Sequence, residues 1–112
     1  MRSLQRSSVA ALMALSIVTG CSAPEPPAAH PVSADLQVKY AASCKSCHQV
    51  PATGAPQTHR LKDWQPRLNK GYQVLLDNTV NGIGGMPPLG QCFDCTTEEL
   101  EELIRFMSGP AS

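Results

Sequence analysis

The sequence predicts a small all-α domain of about four helices. Three observations carry that expectation. No stretch alternates apolar and polar residues as a half-buried strand must. Apolar residues recur instead at helical spacing: Leu36, Tyr40 and Cys44; Tyr72, Leu75, Leu76 and Val80; Leu100, Leu103, Ile104 and Met107. Between these runs lie segments too rich in glycine and proline for regular structure. At 112 residues the chain holds one small domain with appendages, and five aromatic residues allow only a modest core. Such a core usually needs a covalent or cofactor staple. Five cysteines supply the material, and the odd count asks where the last thiol goes.

Residues 1–20 have the form of an export leader. Arg2 and Arg6 give a positive start, and Val9–Val18 is an apolar run too short to span a bilayer comfortably. The run continues into Val18-Thr19-Gly20-Cys21, which resembles a bacterial lipobox. That resemblance implies lipidation at Cys21, which becomes the mature N-terminus and anchors the protein to a membrane. An ordinary signal peptide with a chance cysteine is the alternative. Ser22, rather than the Asp of the inner-membrane retention pattern, points to the outer membrane. Residues 22–34 contain four prolines and four alanines and read as a stiff tether with a reach of about 40 Å. His30, within it, is expected to be solvated. The folded domain is then 35–112.

Each helix has a local reason. Ser33 is a candidate N-cap for a first helix through Leu36 and Tyr40 that ends near Cys44. Residues 49–60 read as loop, with His59 an exposed histidine. Asp63 is placed to cap a short helix bearing Trp64, Arg67 and Leu68, broken at Gly71. A helix over Tyr72–Val80 stops at Asn81-Gly82. Residues 82–91 hold four glycines and two prolines and are irregular. Thr96-Thr97-Glu98-Glu99 is a capping box that opens a last helix, ended by Gly109-Pro110.

The chemistry centres on Cys44-Lys45-Ser46-Cys47-His48, the C-x-x-C-H signature of covalent haem attachment. Two thiols one helical turn apart each add to a vinyl group of the same porphyrin, and the next residue sets an imidazole on the iron. The export leader agrees, since this attachment belongs outside the cytoplasm. The expected cofactor is one haem c, with Cys44 and Cys47 binding the ring and His48 the metal.

A sixth ligand must come from Met86, Met107 or His59. Met107 lies on the apolar stripe of the last helix and reads as core. Met86 serves no helical face. It stands in Gly84-Gly85-Met86-Pro87-Pro88, 38 residues beyond His48, where glycines permit close backbone approach and prolines stiffen the loop. It is therefore the expected ligand. His/Met ligation fills both axial positions and raises the potential relative to two imidazoles, which suits electron transfer.

Taken together, CKSCH, Trp64-Gln65-Pro66-Arg67-Leu68, Gly85-Met86-Pro87-Pro88, Cys92-Phe93-Asp94-Cys95 and the acidic start of the last helix resemble cytochrome c5, a bacterial branch of the class I cytochromes c. The resemblance spans nearly all of 35–108. It implies a small helical fold round one haem, with His48 and Met86 axial and a disulfide between Cys92 and Cys95. The lipobox and tether depart from the soluble members. Trp64 and Arg67 are candidates to bond a haem propionate; the alternatives are a core indole and a surface charge. Tyr40, Tyr72, Phe93 and Phe106 are expected to pack round the porphyrin.

These features point to a membrane-tethered, periplasm-facing electron carrier that is not an enzyme. Its partners are redox proteins and the membrane, with no nucleic acid and no small-molecule substrate. Nine cations against nine acids give no basis for nucleic-acid binding. Without the leader, seven cations face nine acids. The cations gather early: residues 35–77 hold six against three acids, and 78–112 hold one against five. A basic rim of this kind steers acidic partners; ordinary solvated faces are the alternative. One rival is a haem sensor or haem enzyme with a labile sixth ligand. The other is a haem-free CxxC…CxxC metal module, against which stand the 44 residues between the pairs and an oxidising compartment. A redox-active dithiol at Cys92 and Cys95 is a further option, disfavoured by the lack of strands.

Overall fold

The computed structural model describes Gly20 and residues 27–112; the rest of the leader, Cys21 and residues 22–26 of the tether lie outside the described residues. Five α-helices follow in order: α1 Ala34–Ala42, α2 Lys45–His48, α3 Leu61–Leu68, α4 Tyr72–Asn81 and α5 Thr97–Ser108. Two 3-10 turns, Pro51–Thr53 and Pro88–Gln91, sit in the connecting loops. Among the described residues there is no strand, only an isolated bridge between Ile83 and Met86. No described helix is long and apolar enough to cross a membrane.

The fifth helix arises because the expected first one divides. Ser43 leaves helical geometry, and its hydroxyl donates back to the Lys39 carbonyl at 2.7 Å. A serine that satisfies the backbone this way competes with helix continuation. The chain then restarts as the single turn α2, which carries the CxxCH motif. At the other end of α1 the expected cap is present, with Leu36 N–H donating to Ser33 Oγ at 3.2 Å. For α3 the expectation is corrected. It begins at Leu61, so Asp63 lies inside the first turn and its carboxylate accepts the Gln57 N–H instead of capping.

The last helix organises the core. Its capping box is complete: Glu99 N–H donates to Thr96 Oγ1 and Thr96 N–H to Glu99 Oε2. Leu100, Leu103, Ile104 and Met107 form its buried stripe and meet Leu36 and Tyr40 of α1, Trp64 of α3, and Leu75 and Leu76 of α4. Tyr40 and Phe106 pack edge to face at 5.2 Å. Lys39 then ties α1 to the start of α5, donating to both Glu99 carboxylate oxygens at 2.8 and 2.9 Å and to the Asp94 carbonyl at 2.9 Å.

The packed unit starts before residue 35. Val32 is buried in the core, Gln37 Nε2 donates to its carbonyl, and the Ala28 carbonyl lies against Gly109. A Cβ at Gly109 would come within 2.9 Å of that oxygen. His30 is half-buried rather than solvated. His59 is likewise not an exposed loop residue. Its N–H donates to the Met107 carbonyl at 2.8 Å, its Nδ1 bonds the Gly109 carbonyl, and its ring meets Phe106 at 4.9 Å.

Two outcomes follow. Leu103, 1% exposed, leaves a cavity when cut back, so Leu103→Ala costs about 2–5 kcal/mol in urea unfolding. Glu99, hydrogen-bonded to Lys39, is held below its ordinary value of 4.5. The stability it contributes is present above that ordinary value and is lost as pH falls through the lowered one. Urea midpoints measured from pH 7 to pH 3 therefore fall less steeply in Lys39→Met than in the wild type.

Candidate functional site

The motif is built on the turn that follows α1. His48 N–H donates to the Cys44 carbonyl at 2.9 Å, which closes the turn and sets the two cysteines and the histidine in one short helical segment. Cys44 is buried and Cys47 exposed, and both are free thiols. Burial pushes the Cys44 thiol up.

His48 is buried, and burial pushes its imidazole pKa down. The neutral ring is the form with a lone pair to give a metal. Its Nδ1 lies 2.7 Å from the Pro56 carbonyl. A carbonyl only accepts, so Nδ1 carries the proton and Nε2 is the free donor atom. The 49–60 loop is fastened to the motif by further bonds. Thr53 Oγ1 donates to the Cys47 carbonyl at 2.9 Å, and Thr58 N–H to the His48 carbonyl at 2.7 Å. Tyr40 and Thr58 share a hydroxyl–hydroxyl bond at 2.7 Å.

Trp64 stacks on the His48 ring, centroids 5.7 Å apart and planes 20° apart. Its indole N–H donates to the Gln57 carbonyl at 2.9 Å. That bond engages the indole proton within the protein, with the ring buried beside His48. Arg67 is exposed, and its Nη1 turns back to the Asp63 carbonyl of its own helix. Sequence reasoning missed Gln57, a buried amide in the loop that donates to the Cys47 and Ala55 carbonyls. Its only signal was a polar side chain between loop residues, which composition does not separate from a solvated one.

Met86 is held in a tight turn after α4. Ile83 N–H donates to the Met86 carbonyl at 3.0 Å and Met86 N–H to the Ile83 carbonyl at 2.9 Å. The glycines that give the loop its room are not Gly84 and Gly85, where an added Cβ meets nothing. At Gly82 it would come within 2.8 Å of the Met86 carbonyl oxygen, and at Gly90 within 3.2 Å of the Met86 methyl. The chain turns back over Met86 through Leu89, Gly90 and Gln91, all at positive φ.

Beyond this turn Cys92 and Cys95 are joined in a disulfide with their Cα atoms 5.3 Å apart. That pairing removes two of the four thiolates a CxxC…CxxC metal module needs. Phe93, between the two cysteines, is 78% accessible. Tyr72 lies under the Arg105 guanidinium, 4.0 Å from its ring centroid. Two free thiols on one turn, an imidazole with Nε2 to offer, and a clasped thioether fit a covalent haem c. Its iron supplies a reversible one-electron couple.

Comparison with known proteins agrees. Residues 32–107 match the family described as cytochrome c oxidase, cbb3-type, subunit III. Cytochrome c5 of Ectopseudomonas mendocina is 38% identical over 68 residues, which cover 59% of this chain and 78% of that protein. Cytochrome c5 of Azotobacter vinelandii is 35% identical over 77 residues, 67% of this chain and 89% of the relative. Among solved structures, a mono-haem ferrocytochrome c from Shewanella putrefaciens superposes with a TM-score of 0.61 at 39% identity, covering 71% of this chain and 99% of that one. A structure of an electron transfer complex of nitrite reductase with cytochrome c gives a TM-score of 0.61 at 26% identity, covering 70% of this chain and 95% of that one. With one haem-attachment turn, and relatives that match it over most of their length, the chain belongs to the cytochrome c5-like class I c-type cytochromes: a monohaem electron carrier with one covalently bound haem c.

Proposed function

We propose that this cytochrome is a lipid-anchored, periplasm-facing electron-transfer protein of the bacterial envelope, with His48 and Met86 as the axial ligands. The observation that carries the ligand assignment is the construction of the Met86 turn. Reciprocal bonds to Ile83 fix the backbone, and Gly82 and Gly90 make room for the carbonyl and the methyl. A methionine needed only for packing does not require two glycines and a left-handed run to hold it. On the other side, burial keeps His48 neutral, and the Pro56 carbonyl sets its tautomer and raises the basicity of Nε2.

The anchor rests on the sequence around Cys21, which resembles a lipobox, and on the absence of Asp at position 22, which favours the outer membrane. Redox proteins are the fitting partners, as in the nitrite reductase complex of the structural neighbour. Neither a substrate nor nucleic acid enters this reading, and the protein acts as a carrier rather than an enzyme. Lys39 is withdrawn from the basic rim by Glu99, which leaves Lys45, Arg60, Lys62, Arg67 and Lys70 exposed to guide an acidic partner.

Two measurements test the proposal. The ferric wild type shows the weak charge-transfer band of methionine–sulfur ligation, and Met86→Ala abolishes it while covalent haem is retained; a high-spin spectrum in the intact protein overturns the assignment. Cys21→Ser moves the cytochrome from the membrane to the soluble fraction of the producing cell. Its retention in the membrane fraction refutes the anchor.

A further inference from the structure

The hydrogen bond on His48 does not end at Pro56. The peptide unit between Pro56 and Gln57 has two ends, and both are engaged. Its carbonyl accepts His48 Nδ1–H at 2.7 Å, and its N–H donates to Asp63 Oδ2 at 3.1 Å. Because the peptide is planar and trans, the two groups point in opposite directions and cannot rotate independently. Fastening the N–H therefore aims the carbonyl. Asp63 comes from the first turn of α3, and the next residue, Trp64, donates its indole N–H to the following carbonyl, that of Gln57. The indole ring stacks on His48 itself. Two consecutive residues of one helix thus hold the N–H and the carbonyl of Gln57, and the second also covers a face of the imidazole.

The geometry points to Asp63 as a positioning residue that acts on His48 through the Pro56–Gln57 peptide, with Trp64 as its structural companion. Beyond aim there is polarity. A carboxylate that accepts from the N–H draws the peptide dipole toward a stronger acceptor at the carbonyl, since bonds in a chain reinforce one another. The imidazole Nδ1–H is then bound more tightly and Nε2 becomes the better donor. The nearby Arg60 guanidinium, 3.7 Å from Asp63 Oδ2, competes for the same charge without displacing the bond. This inference rests on His48 being an axial ligand.

The test uses the full-length, haem-loaded protein and the exchange of the His48 Nδ1–H with solvent, followed by NMR in the ferrous state. Asp63→Asn removes the charge, and Trp64→Phe removes the indole N–H while keeping a ring. Trp64→Phe is expected to speed that exchange about tenfold, the effect of losing one net hydrogen bond, and Asp63→Asn, which turns a charge-assisted bond into a neutral one, roughly fivefold. Amides of Leu103 and Ile104 in α5, which report global opening, keep their rates. Asp63→Asn also raises the reduction potential, by more than the same charge change at the exposed Glu102 in Glu102→Gln. An unchanged ring-proton rate in Asp63→Asn overturns the role, as does an equal rise at Leu103. If the ferric protein shows no hyperfine shift on the His48 ring, the axial assignment itself falls; a shifted ring with unaltered exchange removes only the role of Asp63.

Discussion

A buried imidazole must have its N–H satisfied inside the protein, because an unpaired polar group away from water costs about 1–3 kcal/mol. In this cytochrome the Pro56 carbonyl meets that need, and much of the haem-binding half of the molecule depends on it. The loop from Gln49 to Arg60 has to pass close beside the CxxCH turn, and bonds from Thr53, Gln57 and Thr58 keep it there. Helix α3 in turn holds the loop. The tautomer of His48 and the choice of Nε2 as the outward atom are consequences of one contact, while burial, acting separately, keeps the ring neutral.

The Met86 turn is held in a different way. Around Met86 the restraint is steric as much as hydrogen-bonded: two glycines give space and a left-handed run gives direction. The disulfide lies just downstream and is secured by Lys39, which reaches across from α1 to the Asp94 carbonyl and to Glu99. Since Glu99 also closes the capping box of α5, one carboxylate serves both the helix start and the loop that follows Met86.

What the sequence made legible was local. The haem-attachment turn, the Ser33 cap, the Thr96 capping box and the stripe of α5 each depend on residues within four or seven positions of one another, and each stands as expected. What it hid was decided by distant partners. Ser43 splits the first helix through its own side-chain bond, a choice that propensity leaves open. Asp63 has the chemistry of a cap but is claimed by Gln57. Trp64 carries one N–H, and that it meets the Gln57 carbonyl depends on a loop seven residues away. Gly82 and Gly90, not the adjacent glycine pair, make room for the Met86 turn because clearance depends on where the chain returns.

Val32 and Ala28 bear on a matter outside the haem domain. If all of residues 22–34 were free, the domain could range about 40 Å from an anchor at Cys21. With the chain seated on Gly109 from Ala28 onward, only residues 22–27 separate the anchor from the docked segment. Six residues span at most about 20 Å by covalent geometry. Were Cys21 lipidated as proposed, a carrier on so short a leash would search a thin shell next to the bilayer. Under the proposed anchor the end of α5 would be the face nearest the lipid, so partners standing on that membrane would be met at high local concentration and those in the open periplasm rarely.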